Sequence, residues 1–218
     1  MLERVLTRVA GRHGASVKAA PSLILRAPDK DDLRLFGDRS YGTGTPFVMG
    51  DDRLGRAWFV TLDERERQGD DRFLAFLDFY LSPVHMTKQD QRMAVPYLRA
   101  VSLRSSVPGI YTLIGDGPAI FIMDLVVHRP NNDKGARPHH KEGDGLGGLL
   151  LRALLMRANQ LGVDEIGGHL SDVDVPTPER LARLRAFYHR HGFQTMLFDE
   201  PDGYKRGSIL WMGSTDAD

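Results

Sequence analysis

The chain has 218 residues, and its 29 basic and 29 acidic side chains cancel to a formal net charge of zero. This balance argues against binding nucleic acid as a polyanion, and the absence of cysteine excludes disulfides, thiolate catalysis and cysteine-based zinc sites. No apolar run is long enough to span a membrane and the N-terminus has no secretory apolar segment, so we expect a cytoplasmic protein with neither a membrane nor a nucleic-acid partner.

The first part of the chain predicts an extension over residues 1–20, with a short helix in it, and then a single domain over residues 21–218. Four elements are predicted in the early part of this domain: a strand over 23–27, a helix over 28–39, and two strands over 56–63 and 72–82 that form an antiparallel hairpin. The helix is predicted because acids crowd its first turn, where the helix dipole favours negative charge.

The middle of the chain is harder to assign. Residues 95–103 (VPYLRAVSL) fit either a helix or a strand, and residues 110–118 (IYTLIGDGP) fit a strand that ends in a turn. Residues 119–127 (AIFIMDLVV) predict the clearest buried strand of the chain, and a polar loop follows over 128–142.

The last part alternates between strands and helices. A wide apolar face predicts a helix over 146–161 that ends at Gly162, and a strand follows over 165–173. Thr177 and Pro178 have the residue types of an N-cap and a first helical position, so a second helix is expected from there to Gly192, followed by two strands. The expected fold class is α/β (α+β), with a mixed, mostly antiparallel sheet flanked by helices.

A glycine loop precedes the first of these two helices. Its four glycines are Gly143, Gly145, Gly147 and Gly148. Glycines at the start of a helix let free backbone N–H groups converge on one point, and the helix dipole adds partial positive charge there. The loop therefore favours a phosphate or pyrophosphate ligand.

Two other interpretations of the loop remain. Close packing of helix on sheet explains one or two glycines well, but four poorly. The spacing also matches the G-x-G-x-x-G pattern of dinucleotide-binding folds, yet that pattern should follow a strand directly, and here the polar loop over 128–142 intervenes. A P-loop is excluded, since no Gly-Lys-Ser/Thr follows.

The strand IFIMDLVVH, the glycine loop, the next strand and the helix end FYHRHGF together resemble the GNAT superfamily of N-acetyltransferases, from Ala119 to Phe193. In that family the backbone amides of an Arg/Gln-x-x-Gly-x-Gly/Ala loop bind the pyrophosphate of acetyl-coenzyme A. Gly145 and Gly147 fill the two glycine positions here. Glu142 stands where the family has arginine or glutamine, so Lys141 is expected to take over that role.

The resemblance implies a GNAT-like fold and transfer of an acetyl or related acyl group from acyl-coenzyme A (acetyl-CoA) to a small-molecule or peptide amine, by a monomer or homodimer. The cofactor contacts that it implies are Leu125, Val126, Val127, Lys141, Gly143, Gly145, Leu146, Gly147 and Gly148. Basic residues between 128 and 141 are expected either to meet the 3′-phosphate or to form a solvated loop. The alternative function is a catalytically degenerate acyl-CoA-binding or regulatory module.

Tyr188 lies where many members of the family have the tyrosine that protonates the departing thiolate. It also continues an apolar stripe of helical spacing through Leu181 and Leu184, which is the packing alternative. The family often has an asparagine at the position of Leu181, so that cofactor contact is missing or made differently here.

Two carboxylates interrupt apolar runs, Asp124 and Asp78. Burial makes a carboxylate easier to protonate and suits it to general base catalysis near neutral pH. The family often uses a carboxylate on the strand of Asp124, so Asp124 is the first candidate for the base, and a hydrogen-bonded structural role is the alternative. Asp172 and Asp174 are candidates for binding a cationic substrate, and the alternative is that they are solvated acids, or acids that interact with the helix dipole, just before a helix N-terminus. The histidine spacings predict no metal site.

Overall fold

The computed structural model describes residues 25–37, 44–66, 69, 72–85, 95–104, 117–127, 145–171, 177–203 and 205–213. Within these ranges the helices are α1 (Lys30–Gly37), α2 (Leu146–Leu161) and α3 (Pro178–Arg190). The strands there are β1 (Thr45–Asp51), β2 (Ala57–Glu66), β3 (Phe73–Pro83), β4 (Tyr97–Leu103), β5 (Ala119–Val126), β6 (Glu165–Ser171), β7 (Gln194–Asp202) and β8 (Lys205–Met212).

The strands form one sheet in the order β1-β2-β3-β4-β5-β6-β8-β7. Every neighbouring pair is antiparallel except β5 and β6, which are parallel and joined through α2. This confirms the predicted mixed, mostly antiparallel sheet. It contradicts the dinucleotide-binding alternative, which needs a parallel doubly wound sheet.

The main core lies between one face of the sheet and α2. Leu149, Leu150 and Leu154 on α2 are fully buried, as are Ile120 on β5 and Ile166 on β6. Burying a leucine side chain contributes about 1.5–3 kcal/mol, so this seam is a major part of the stability. The helix ends as predicted at Gly162, whose left-handed φ of 65° suits glycine.

The second crossover helix, α3, packs on the same face. Thr177 accepts a hydrogen bond from the Arg180 backbone N–H, and Pro178 follows it in the first turn, so the predicted N-terminus is confirmed. Tyr188 is buried on this helix. Phe193, which directly precedes β7, joins the same core cluster.

The opposite face carries two smaller clusters. Phe73, Val101 and Phe121 share one of them. The other lies near α1, where the rings of Phe36 and Phe59 meet edge to face at 5.3 Å. No described helix is long and apolar enough to cross a membrane.

The structure settles some predicted elements and corrects others. The hairpin of β2 and β3, the helix α1 and the strand β6 are confirmed. The undecided segment 95–103 contains strand β4, and the strand β1 was missed by the sequence analysis. A strand was expected over 23–27. The described part of this segment forms an isolated β-bridge between Arg26 and Met49 instead. The helix expected in residues 1–20 and the strand expected over 110–116 lie outside the described residues.

Candidate active site

Strands β5 and β6 separate halfway along their length. Their parallel pairing runs from Ala119 opposite Glu165 to Ile122 opposite Gly168, and both strands continue beyond that point. Among the described residues, none pairs with β5 beyond Ile122 on its β6 side. We call the space between the two strands beyond this point the β5–β6 cleft.

Two features of the strands accompany the cleft. Arg99 pairs with Asp124 while the next residue of β4, Ala100, pairs with Ile122, so Met123 is an extra residue that forms a β-bulge. A bulge bends its strand and increases its twist. On β6, Gly168 lets Ile209 of β8 pack closely, since a Cβ there would lie 3.1 Å from that side chain.

Exposure changes abruptly at the bulge. Residues 119–122 of β5 are buried, whereas Met123 and Asp124 are exposed and residues 125–127 are partly exposed. The prediction of a buried strand over 119–127 is therefore right for its first half and wrong for its second half. The second half instead borders the cleft.

The N-terminus of α2 lies next to the end of β5. Gly145 is the N-cap residue at a left-handed φ of 91°, and it offers no side chain to the free N–H groups of the first turn. A Cβ on Gly147 would lie 3.2 Å from Val127 and 3.3 Å from Phe187 of α3. Close packing thus explains Gly147, while backbone conformation explains Gly145.

The predicted cofactor residues that the structure describes lie at the cleft or at the start of α2. Leu125, Val126 and Val127 border the cleft, and Val127 lies against Gly147 at the start of α2. Leu146 and Gly148 are buried, so only their main chain is suited to contact a ligand. Lys141 and Gly143 lie outside the described residues. So do the basic residues between 128 and 141, and Asp172 and Asp174.

An arginine side chain that the sequence analysis missed lies at this helix start. Arg53 lies in the turn between β1 and β2, and its Cγ would be 3.1 Å from a Cβ on Gly145. Buried Asp52 shapes that turn by accepting hydrogen bonds from the Leu54 backbone (2.8 Å), the Arg56 backbone (3.0 Å) and the Trp58 indole (3.1 Å). A turn so far away in sequence gives no local signal that it will approach Gly145.

Two further arginines, together with Arg53, affect the pKa of His191. Burial, and then the positive charges of Arg152, Arg190 and Arg53, lower the pKa of His191 from 6.5 to about 4. The His191 ring meets Phe187 edge to face at 5.1 Å, and Phe187 contacts the Gly147 position. Three guanidinium groups therefore lie close enough to His191 to disfavour its protonated form, and one of them, Arg53, also lies against the N-terminus of α2, where an anion is already favoured.

The lowered pKa of His191 predicts a loss of stability in acid. The unfolded chain takes up this proton near pH 6.5 and the folded chain only near pH 4, so stability is complete above pH 6.5 and falls as the pH drops towards 4. The full shift is worth about 3 kcal/mol, and solvent screening of this half-buried ring reduces it to about 1 kcal/mol. Urea unfolding of wild type and His191→Phe at several pH values measures it. A wild type and variant with the same pH slope between 6.5 and 4 would contradict it.

Tyr188 lies near the end of α3 with 6% of its surface exposed. Its ring packs against Phe187 at 5.1 Å and against Phe193 at 5.7 Å. The packing alternative is thus realised for the ring. The part played by its hydroxyl group remains a prediction.

Of the two candidate carboxylates, Asp78 is buried as expected and Asp124 is not. Asp124 is exposed rather than buried, because the bulge turns this part of β5 out of the core, and it accepts a hydrogen bond of 2.6 Å from the Tyr97 hydroxyl. Asp78 is the buried one, at 1% exposure, and it pairs with Arg65 and Arg99 on the neighbouring strands. Asp78 is therefore a structural carboxylate.

Comparison with known proteins finds likeness in structure but none in sequence. No family model matches the sequence, and no curated protein matches it. Among solved structures, the chain is similar to an acetyltransferase of the GNAT family from Staphylococcus aureus Mu50, with 11% identity and a TM-score of 0.37. The match covers 63% of this chain and 68% of that chain. A likeness of this extent does not assign the chain to a family.

Proposed function

We propose that this protein is an acyltransferase that moves an acetyl or related acyl group from acyl-coenzyme A to an amine. The observation that supports this best is the β5–β6 cleft, which opens directly beside the N-terminus of α2. A cleft in a sheet frees main-chain N–H and C=O groups along one strand edge, and a helix N-terminus favours an anion. A pantetheine arm needs the first feature and a pyrophosphate needs the second.

The residues present fit such a ligand. Residues 124–127 supply a partly exposed strand edge for the amides of the arm. Gly145 leaves the first turn of α2 without a side-chain cap, and Arg53 lies against it. Within the described residues no carboxylate forms an ion pair with Arg53, which suits this guanidinium to a phosphate.

The acyl transfer requires three further functions from the residues of the chain. The amine attacks only when neutral, so a proton must leave it, and the exposed carboxylate of Asp124 at the cleft is the proposed acceptor. Backbone N–H groups of β5 are suited to stabilise the oxyanion of the thioester carbonyl. Tyr188 is the proposed donor of a proton to the departing sulfur.

Ligand-dependent stability tests the acyl-coenzyme A assignment directly. A ligand that binds only the folded state raises the melting temperature by mass action. We expect acetyl-CoA to raise it and NAD and ATP to leave it unchanged. Equal shifts with NAD would contradict the assignment.

A matched pair of glycine variants tests whether the start of α2 holds the pyrophosphate. Gly145 and Gly162 cap opposite ends of the same helix, with left-handed φ values of 91° and 65°. Alanine costs about 1–2 kcal/mol of backbone strain at either position. Only Gly145→Ala is expected to weaken coenzyme A binding, by about tenfold or more, because its Cβ crowds the N–H groups and Arg53. Calorimetry on the folded variants measures this, and equal affinities would make Gly145 a purely structural cap.

Two departures from the family pattern favour the second candidate, a binding or regulatory module without turnover. Glu142 and Leu181 stand at positions where the family has cofactor-binding side chains. Release of free thiol from acetyl-CoA in the presence of an amine panel separates the two functions. Tight coenzyme A binding with no thiol release would favour the module.

A further inference from the structure

Arg99 and Asp124 are directly opposite each other on β4 and β5. Directly opposed residues of an antiparallel pair have Cα atoms about 4.5–5.5 Å apart and point to the same face of the sheet. Opposite charges in this arrangement ordinarily attract and pair. Both residues lie in the described part of the chain, and they form no ion pair with each other.

Each of the two side chains is held by a different neighbour. Arg99 donates through Nε to Asp78 at 2.7 Å, and its second nitrogen reaches the same carboxylate at 3.3 Å. The hydrogen bond to Asp78 raises the pKa of Arg99 above its ordinary value, and a hydrogen bond to Tyr80 raises it to a lesser extent. Asp124 is held by the Tyr97 hydroxyl at 2.6 Å. A positive group and a negative group thus occupy opposed positions on neighbouring strands, and each is held by a different partner.

Both groups remain accessible. The side chain of Arg99 is 44% exposed although it contacts Asp78, whose side chain is 2% exposed. Asp124 is exposed at the edge of the β5–β6 cleft. Asp78 is shared between Arg99 and Arg65, and Arg65 also pairs with Asp63 at 3.4 Å, so Arg99 is the partner of Asp78 that has no second carboxylate among the described residues.

We propose that this pair binds a zwitterionic acceptor, an amino acid whose ammonium group contacts Asp124 and whose carboxylate contacts Arg99. This rests on the proposed acyltransferase function and names the acceptor class. A guanidinium presents parallel N–H groups that match a carboxylate, and a second charge of opposite sign beside it selects a ligand that carries both. The ammonium is then held at the cleft, where the thioester would lie.

The transfer step balances as follows. The ammonium loses one proton to Asp124, and the resulting neutral nitrogen forms a bond to the acyl carbon. The carbon–sulfur bond breaks and its electron pair leaves with sulfur. The nitrogen loses its second excess proton as the amide forms, and the sulfur takes up one proton to become the free thiol of coenzyme A. One proton is released to solvent overall.

Pairs of acceptors test the proposal. The common amino acids are each compared with their carboxamides, in calorimetry on the protein loaded with coenzyme A and in thiol release from acetyl-CoA. A carboxamide keeps the shape but lacks the negative charge, and its amine is easier to deprotonate, so intrinsic reactivity favours the carboxamide. We expect one or more free amino acids to bind and react at least about tenfold better than their carboxamides, the size expected for one charge-assisted hydrogen bond.

Two variants test whether Arg99 is the cause of the preference for free amino acids over carboxamides. Arg99→Gln is expected to raise KM for the amino acid by about 10- to 100-fold and to leave KM for the carboxamide unchanged. Arg65→Gln is the matched control, because it removes the other partner of Asp78 but leaves the Arg99–Asp124 pair intact. If Arg99→Gln does not fold, the acid-to-carboxamide ratio of the wild type still decides the question.

The outcomes separate this inference from the proposed function. If coenzyme A binds and amines react but acids and carboxamides are equal, the amino-acid inference is wrong and the acyltransferase proposal stands. If coenzyme A binds and no free amino acid binds at millimolar concentration, the inference is also wrong. If acetyl-CoA itself does not bind, both fail.

Discussion

The Tyr188→Phe variant is expected to keep the fold and the affinity for acetyl-CoA and to lose about 10²–10⁴-fold in turnover, the range for general acid assistance. The substitution removes only the hydroxyl group. The ring contacts with Phe187 and Phe193 remain, as do the hydrogen bonds that the Tyr188 carbonyl accepts from the His191 and Phe193 backbone N–H groups. Any loss of rate then belongs to the hydroxyl.

A structural role for the hydroxyl predicts a different pattern. Losing one buried hydrogen bond would lower the free energy of unfolding by about 1 kcal/mol and leave the rate per folded molecule intact. The measurement is therefore the turnover number with a working acceptor, corrected for the folded fraction, beside urea unfolding of the same sample. A variant within about twofold of wild type would make Tyr188 a packing residue and leave the proton to water or another side chain.

Local signals in the sequence were sufficient to predict the two crossover helices, α2 and α3. The apolar face of α2, the glycine after it and the Thr177–Pro178 start of α3 all act over one or two turns, so their positions follow from nearby residues. β1 was missed because its strand TPFVMGD is short and bounded by glycine and acidic residues, a composition typical of loops. β4 stayed undecided because YLRAVSL alternates too weakly to distinguish a strand from a helix.

The candidate site depends on contacts that the sequence does not display. Asp124 lies in an apolar run, and burial was the natural inference. Its exposure comes from the bulge at Met123 and from the end of pairing with β6, both of which involve partners distant in sequence. The approach of Arg53 to Gly145 is equally non-local. The carboxylate that is buried, Asp78, has its ion-pair partners Arg65 and Arg99 on two other strands.

Asp124→Asn is expected to lower kcat/KM by about 10²–10⁴-fold, because the amide keeps the shape but cannot accept the proton of the amine. Stability should change by no more than about 0.5 kcal/mol, since the side chain is exposed. The activity of the variant should recover as the pH approaches the ordinary pKa of a free amine, about 10, because solvent then supplies neutral amine. Such recovery distinguishes a lost proton acceptor from a displaced substrate.

Tyr97→Phe is expected to lower the activity less than Asp124→Asn does. It leaves the Asp124 carboxylate in place and removes the hydroxyl that holds it at 2.6 Å. We expect a loss of about tenfold, the value of one hydrogen bond to a charged group, with no recovery at high pH because the proton acceptor is still present. The order of the two effects is the decisive result. A Tyr97→Phe variant that is as impaired as Asp124→Asn, or an Asp124→Asn variant within a few-fold of wild type, would show that Asp124 shapes the cleft and that the base lies elsewhere.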